Sequence, residues 1–184
     1  NIKLIILPEG HEEIGMGAFE GCSGLKKMTL PKNVNVEERA LQGCTALEEL
    51  TVSTGYYLGY FFGKYGNSSV PESLYRVIYT GDFNVHSDYF KDCNNIKEII
   101  INGNISFIED NAFKNCKKLS TVSIPVTVTK IGESAFWGCD SLLQLNIPSS
   151  VKEIGASAFY GCSSLRSVSI PNSVKEIGAS AFEA

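Results

Sequence analysis

The residues best equipped for chemistry in this 184-residue chain are six cysteines, Cys22, Cys44, Cys93, Cys116, Cys139 and Cys162, and two histidines, His11 and His86. An even number of cysteines is compatible with disulfides or with thiolate metal sites. Their spacing argues against both. Successive cysteines lie 22, 49, 23, 23 and 23 residues apart, and 49 is close to two repeats with a small insertion. One thiol per repeat, at one phase and beside a phenylalanine (replaced by Leu41 in the unit of Cys44), marks an interior column of small apolar residues. Thiols in neighbouring repeats on the outer side of a curved stack are expected to be too far apart for a disulfide, which needs Cα atoms about 4.4–6.8 Å apart. No Cys-x-x-Cys pair occurs. Free, buried thiols are therefore expected. His11 and His86 are 75 residues apart in polar, turn-like surroundings, with no partner spacing for catalysis or ligation, and are read as solvated loop residues. No serine sits in a Gly-x-Ser-x-Gly elbow, and Gly132 and its equivalents follow isoleucine rather than forming a phosphate-binding Gly-x-Gly-x-x-Gly. The chain is not read as an enzyme, and no cofactor, metal or catalytic residue is expected.

The elements that carry these residues are written in the repeat itself. Ile131-Gly132-Glu133-Ser134-Ala135-Phe136-Trp137-Gly138-Cys139 recurs as Ile154-Gly155-Ala156-Ser157-Ala158-Phe159-Tyr160-Gly161-Cys162, and begins again at Ile177. The other half of the unit reads Leu142-x-x-Leu145-x-Ile147-Pro148-x-x-Val151, then Leu165-x-x-Val168-x-Ile170-Pro171-x-x-Val174. A fixed period in the low twenties is the sign of a solenoid, in which no unit is stable without its neighbours. Strand segments are predicted to begin at Ile2, Leu25, Leu47, Leu74, Ile96, Leu119, Leu142 and Leu165, about eight in all. Residues two apart, such as Val122 and Ile124, point to one face of a short strand. Proline at 8, 31, 125, 148 and 171 ends the strand because it has no N–H to extend a ladder. The Ala-Phe segment has room for one helical or 3-10 turn. Gly21, Gly43, Asp92, Asn115, Gly138 and Gly161, the residues before each cysteine, are predicted to take a left-handed backbone. Between Leu47 and Leu74 the step lengthens to 27, and an aromatic and glycine run (Tyr56, Tyr57, Tyr60, Phe61, Phe62, Tyr65) replaces the Ala-Phe-x-Gly-Cys turn, making a degenerate insertion around residues 53–73.

Composition narrows the partners. A net charge of -4 argues against nucleic acid or an anionic membrane held by bulk charge. The longest aliphatic run is Leu4 to Leu7, too short for a membrane span. The sequons at Asn67-Ser68-Ser69 and Asn104-Ile105-Ser106 matter only in a host that glycosylates secreted proteins.

The pattern Ile-Gly-x-x-Ala-Phe-x-Gly-Cys-x-x-Leu-x-x-Leu-x-Ile-Pro-x-x-Val resembles the BspA-like, or Treponema pallidum-type, leucine-rich repeats of bacterial and some protist surface proteins. It does so across almost the whole chain, most strongly from Ile96 onward. The resemblance implies an α/β repeat fold: a right-handed solenoid with a parallel sheet on one side. It implies an extracellular or cell-surface setting, with adhesion or ligand binding as the usual role, and carries no catalytic residues. Residues 1–184 are read as a single leucine-rich-repeat domain, expected to be part of a longer protein.

The outward column of the sheet is predicted to be Ile6, Thr29, Thr51, Ile78, Ile100, Ser123, Asn146 and Ser169. A second column is Leu4, Lys27, Glu49, Arg76, Glu98, Thr121, Gln144 and Ser167. Lys27, Glu49, Arg76 and Glu98 alternate in sign across adjacent strands. Ile78 and Ile100 are expected as exposed apolar neighbours framed by Glu49, Tyr75, Arg76 and Glu98, a candidate contact surface for a protein or glycan. A passive stalk holding another domain away from a cell is the alternative.

Overall fold

The computed structural model describes residues 2–53, 55–63 and 66–184; Tyr65 of the aromatic run lies outside them. Its strands are β1 (Glu13–Ile14), β2 (Lys27–Thr29), β3 (Asn35–Val36), β4 (Glu49–Val52), β5 (Arg76–Tyr79), β6 (Glu98–Ile101), β7 (Phe107–Ile108), β8 (Thr121–Ser123), β9 (Lys130–Ile131), β10 (Glu153–Ile154) and β11 (Glu176–Ile177). Every pairing is parallel. The principal sheet runs β2-β4-β5-β6-β8, and a second series of two-residue strands forms β1-β3 and β7-β9-β10-β11. The chain is thus a parallel solenoid with two ladders, the second interrupted between β3 and β7.

The predicted columns hold in register. Lys27 pairs with Glu49, Glu49 with Arg76, Arg76 with Glu98 and Glu98 with Thr121; Thr29, Thr51, Ile78, Ile100 and Ser123 align in the same way. Their alternates, Met28, Leu50, Val77, Ile99 and Val122, are buried. The expected count of about eight strands is not reached. Beyond β8 the ladder thins to a single bridge between Asn146 and Ser169, because the outward residues there (Gln144, Asn146, Ser167, Ser169) lack the β-branched shape that suits a pleated surface. Residues 2–7 form no strand. Leu4 and Ile6 are 67% and 79% exposed while Ile5 and Leu7 lean on the core, so the alternation is present without the ladder.

Helical turns on the opposite face are also not what forms. The 3-10 helix Leu58–Phe62 falls in the insertion, and the regular coils carry hydrogen-bonded turns instead. The reason is where the N–H groups go. Asn111, Phe113 and Asn115 donate to the carbonyls of Glu133, Ala135 and Trp137 one coil on, at 2.9, 2.8 and 2.7 Å. The residues between them, Ala112 and Lys114, close local turns onto Glu109 and Asn111. A helix would send every N–H back along its own coil. Alternation between the next coil and the local turn requires left-handed residues at intervals. All six predicted ones adopt that conformation, with φ between 60° and 77°. A second left-handed position in each unit, filled by Gly17, Arg39, Asp88, Asn111, Ser134, Ser157 and Ser180, was not foreseen.

The interior is built from stacked identical side chains. Phe90, Phe113, Phe136, Phe159 and Phe182 form a continuous pile with ring centroids 5.2, 4.8, 5.2 and 5.1 Å apart and planes within 13° of parallel. The cysteines form the column beside it. The thiols of Cys44, Cys116, Cys139 and Cys162 donate to the carbonyls of Phe19, Phe90, Phe113 and Phe136 one coil back, at 3.0–3.4 Å. Five of the six cysteines are buried and Cys22 is half-buried.

The insertion keeps the stack continuous by other means. Leu58, Phe61 and Phe62 supply the core. The side-chain amide of Asn67 donates to the carbonyls of Tyr89 and Lys91 at 3.0 and 2.8 Å, alongside the Leu58 N–H, which donates to the Tyr89 carbonyl at 3.2 Å. Asn67 Oδ1 in turn accepts from the N–H of Gly59 at 2.6 Å. Gly59 must be glycine: a Cβ there would lie 1.8 Å from the carbonyl oxygen of Gly66. At 6% exposure, Asn67 is a structural residue, and its sequon is inaccessible in the folded chain.

Two outcomes test this packing. Gly138 has φ of +69°, and a Cβ there would lie 3.0 Å from Asn115 Oδ1. Gly138→Val should cost about 1–3 kcal/mol in urea unfolding, and an unshifted midpoint would contradict the assigned turn. Burial pushes the Cys44 thiol up to about 11 and that of Cys162 up to about 12, and holds Cys93, Cys116 and Cys139 well above the ordinary 9.0. In the unfolded chain these thiols ionise near 9.0, whereas in the folded chain they stay protonated. Stability should therefore be independent of their ionisation below about pH 9 and fall as pH rises above it. Thermal melts from neutral pH upward should show this decline, with a shallower slope in Cys139→Ala; an equal slope would contradict it.

Candidate functional site

The six residues singled out in the sequence gather on one face of the principal sheet. Strands β4, β5 and β6 lie side by side, so residues at one phase stand next to each other at strand spacing. Arg76 sits between two carboxylates: Nη1 is 3.0 Å from Glu49 Oε2, and Nε is 3.0 Å from Glu98 Oε2. The first is a directed hydrogen bond, while the Nε–H is not aimed at Glu98, so the second is a coulombic contact. Lys27 Nζ extends the row, 3.7 Å from the other oxygen of Glu49. With these side chains between a fifth and two thirds exposed, each pair is worth about 0.2–1 kcal/mol. The row pins register more than it stabilises.

The neighbouring column repeats the theme. Lys26 Nζ donates to Glu48 Oε1 at 2.9 Å, a bond that, with the Glu48 charge, raises the lysine above its ordinary ionisation range. Tyr75 follows Glu48 in this column and is 41% exposed. On the other side of the charged row, Ile78 and Ile100 pair directly across β5 and β6. They are half-buried rather than exposed, which corrects the expectation: each β-branched side chain shields the flank of the next, and the Glu49–Arg76–Glu98 row runs alongside. What the face offers is a low apolar ridge bordered by a clamped guanidinium and a tyrosine.

The candidates for chemistry elsewhere sit apart. His86 Nδ1 is 3.2 Å from Glu109 Oε1, and Glu109 Oε2 also accepts from the Ser87 N–H at 3.1 Å. His11 Nδ1 is 3.0 Å from the Pro8 carbonyl oxygen. Among the described residues no cluster of three His, Cys, Asp or Glu is arranged to hold a metal, and no helix is long and apolar enough to cross a membrane.

Sequence reasoning missed a ridge on the turn side. Trp137 and Tyr160 stack in parallel at 5.9 Å, and Lys114 Nζ lies 5.1 Å from the centre of the Trp137 ring. All three occupy the position just before a left-handed residue, so the repeat phase alone would have aligned them.

The model of the BspA type leucine rich repeat region matches this sequence in six copies, over residues 1–67 and 84–184. The span it omits overlaps the degenerate insertion. A solved leucine-rich repeat protein of T. pallidum is 27% identical with a TM-score of 0.54, over 73% of this chain and 53% of that one. One from Bacteroides ovatus ATCC 8483 shares the fold at 24% identity and a TM-score of 0.52, over 99% of this chain and 64% of that one. A third, from Eubacterium ventriosum ATCC 27560, is 31% identical with a TM-score of 0.48, over 66% of this chain and 32% of that one. This chain therefore spans less than two thirds of the length of each of these solved relatives. No curated protein matches it. With the repeat phase, both ladders and the phenylalanine stack in place, the chain belongs to the BspA-type leucine-rich-repeat family.

Proposed function

We propose that this domain is a non-enzymatic binding module of a secreted or cell-surface protein, presenting the β4–β5–β6 face to a protein or glycan partner. One observation carries the reading: Glu49, Tyr75, Arg76, Ile78, Glu98 and Ile100 converge on adjacent strands of an open sheet. Repeat solenoids use such extended faces for recognition. Ion pairs fix the side chains before any partner arrives, which lowers the ordering cost of binding. The resemblance to surface repeat proteins supports the setting. The second reading, a passive spacer, draws on the same ion pairs, since charges that satisfy one another need no partner, and on the uncharged Ser123, Asn146, Ser169 column beyond.

The two readings separate on an array of extracellular host proteins and glycans probed with the purified domain. Binding predicts specific capture that Ile78→Glu or Ile100→Glu weakens at least about tenfold. Ile78→Thr, which copies Thr51 of the adjacent strand, should keep the melting temperature within a few degrees and serves as the folding control. A spacer predicts no specific capture and no effect of either glutamate.

A further inference from the structure

The second ladder is broken at one place. Strand β3 pairs back to β1, while the run β7-β9-β10-β11 begins afresh, joined to the coil before it by the bridge between Val85 and Ile108. The gap falls where the insertion replaces the Ile-Gly turn. Two adjoining hollows open beside it, of about 400 and 320 Å³, with Ser87 lining both, and together they are treated as a groove. Tyr57 lines the larger hollow and Phe107 the smaller.

Phe107 is out of character for its position. It is 42% exposed, and the same register is filled by Lys130, Glu153 and Glu176 in the following coils. Packing therefore does not demand an aromatic there. Tyr57 is held edge-on to Tyr60 at 6.0 Å, and Tyr60 stacks on Tyr56 at 4.6 Å, so that end of the groove is pre-set. Asn67 anchors its floor through three hydrogen bonds.

Between the aromatic ends the walls carry carboxylates: Asp88 and Asp92 on one side of Ser87, Glu109 and Asp110 on the other. The two lysines present are already engaged, Lys91 with Asp88 at 3.3 Å and Lys130 with Glu153 at 2.6 Å. Asp88, Asp92, Glu109 and Asp110 already meet Lys91, Asn115 and the N–H groups of Ser87 and Glu133, but a carboxylate has further lone pairs, so the field is negative and the remaining hydrogen-bonding capacity is acceptor. Backbone along this wall is largely spent, with Glu109 N–H donating to the Val85 carbonyl, Gly132 N–H to the Ile108 carbonyl and Ser87 N–H to Glu109 Oε2, which disfavours the addition of a peptide strand.

From these features we infer a second binding site, independent of the sheet face, for an uncharged oligosaccharide. Its ring faces would lie on Phe107 and Tyr57, and its hydroxyl groups would donate to the carboxylates between them. An aromatic body supplies apolar contact while fixed acceptors orient many O–H donors. Sulfated or uronic chains are disfavoured by the charge.

Saturation-transfer NMR and titration calorimetry with mannohexaose, an N-acetylglucosamine hexamer and a heparin-derived hexasaccharide test the assignment. At least one neutral hexasaccharide should bind, with contacts to the aromatic ends, and the heparin fragment should not. Phe107→Glu should weaken binding about tenfold at an unchanged melting temperature, because glutamate already occupies this register at Glu153 and Glu176 and would face Lys130 across the ladder. Ile78→Glu should leave it intact, separating this site from the sheet face. Absence of neutral-sugar binding, preference for the heparin fragment, or wild-type affinity in both Phe107→Glu and Tyr57→Ala would overturn it.

Discussion

The constraint on which the structure depends is the division of backbone N–H groups between two directions. In each regular turn, alternate residues donate to the next coil and the rest close a local turn. This is possible only if the chain reverses curvature at left-handed residues twice per unit. It holds the coils close enough for the phenylalanine rings to stack at about 5 Å and for the Cys116, Cys139 and Cys162 thiols to reach the carbonyls behind them. Removing the ladder would remove the geometry that makes the columns. The side-chain stacks and the backbone ladder are one interaction seen from two sides, and neither exists within a single unit.

Much of this was legible in the residues. The cysteine period fixed the unit, proline marked the strand ends, and glycine, asparagine and aspartate before each cysteine marked one left-handed site per coil. The sheet register followed from residues two apart. The second left-handed position escaped notice because serine fills it in the best copies, Ser134, Ser157 and Ser180, and serine carries little preference for that conformation. Gly17, Asp88 and Asn111 at the same phase held the clue. The second ladder was hidden because its strands are two residues long, shorter than any alternation can register. The helical turns were a reasonable reading of a short Ala-Phe segment; what the sequence does not display is that its N–H groups have partners in another coil.

The insertion shows how far the constraint can be stretched. It replaces the regular turn with a 3-10 helix, yet Leu58, Phe61 and Phe62 fill the core. The side-chain amide of Asn67 joins the Leu58 N–H in bonding the carbonyls of the next coil. The cost is a break in the second ladder and a groove beside it. The sheet face, by contrast, follows the repeat closely. Its candidate residues were found from phase alone, but the half-burial of Ile78 and Ile100 depends on how neighbouring side chains cover one another, which a one-dimensional pattern does not encode.

The central claim is that each coil is stabilised by its neighbours through shared columns and ladder bonds. Hydrogen exchange on Phe113→Ala measures this directly. The account predicts faster exchange in the coils of Phe90 and Phe136 as well as in the altered coil, because the ring stacks on both. Faster exchange confined to the residues around position 113, with both neighbouring coils protected as before, would contradict it.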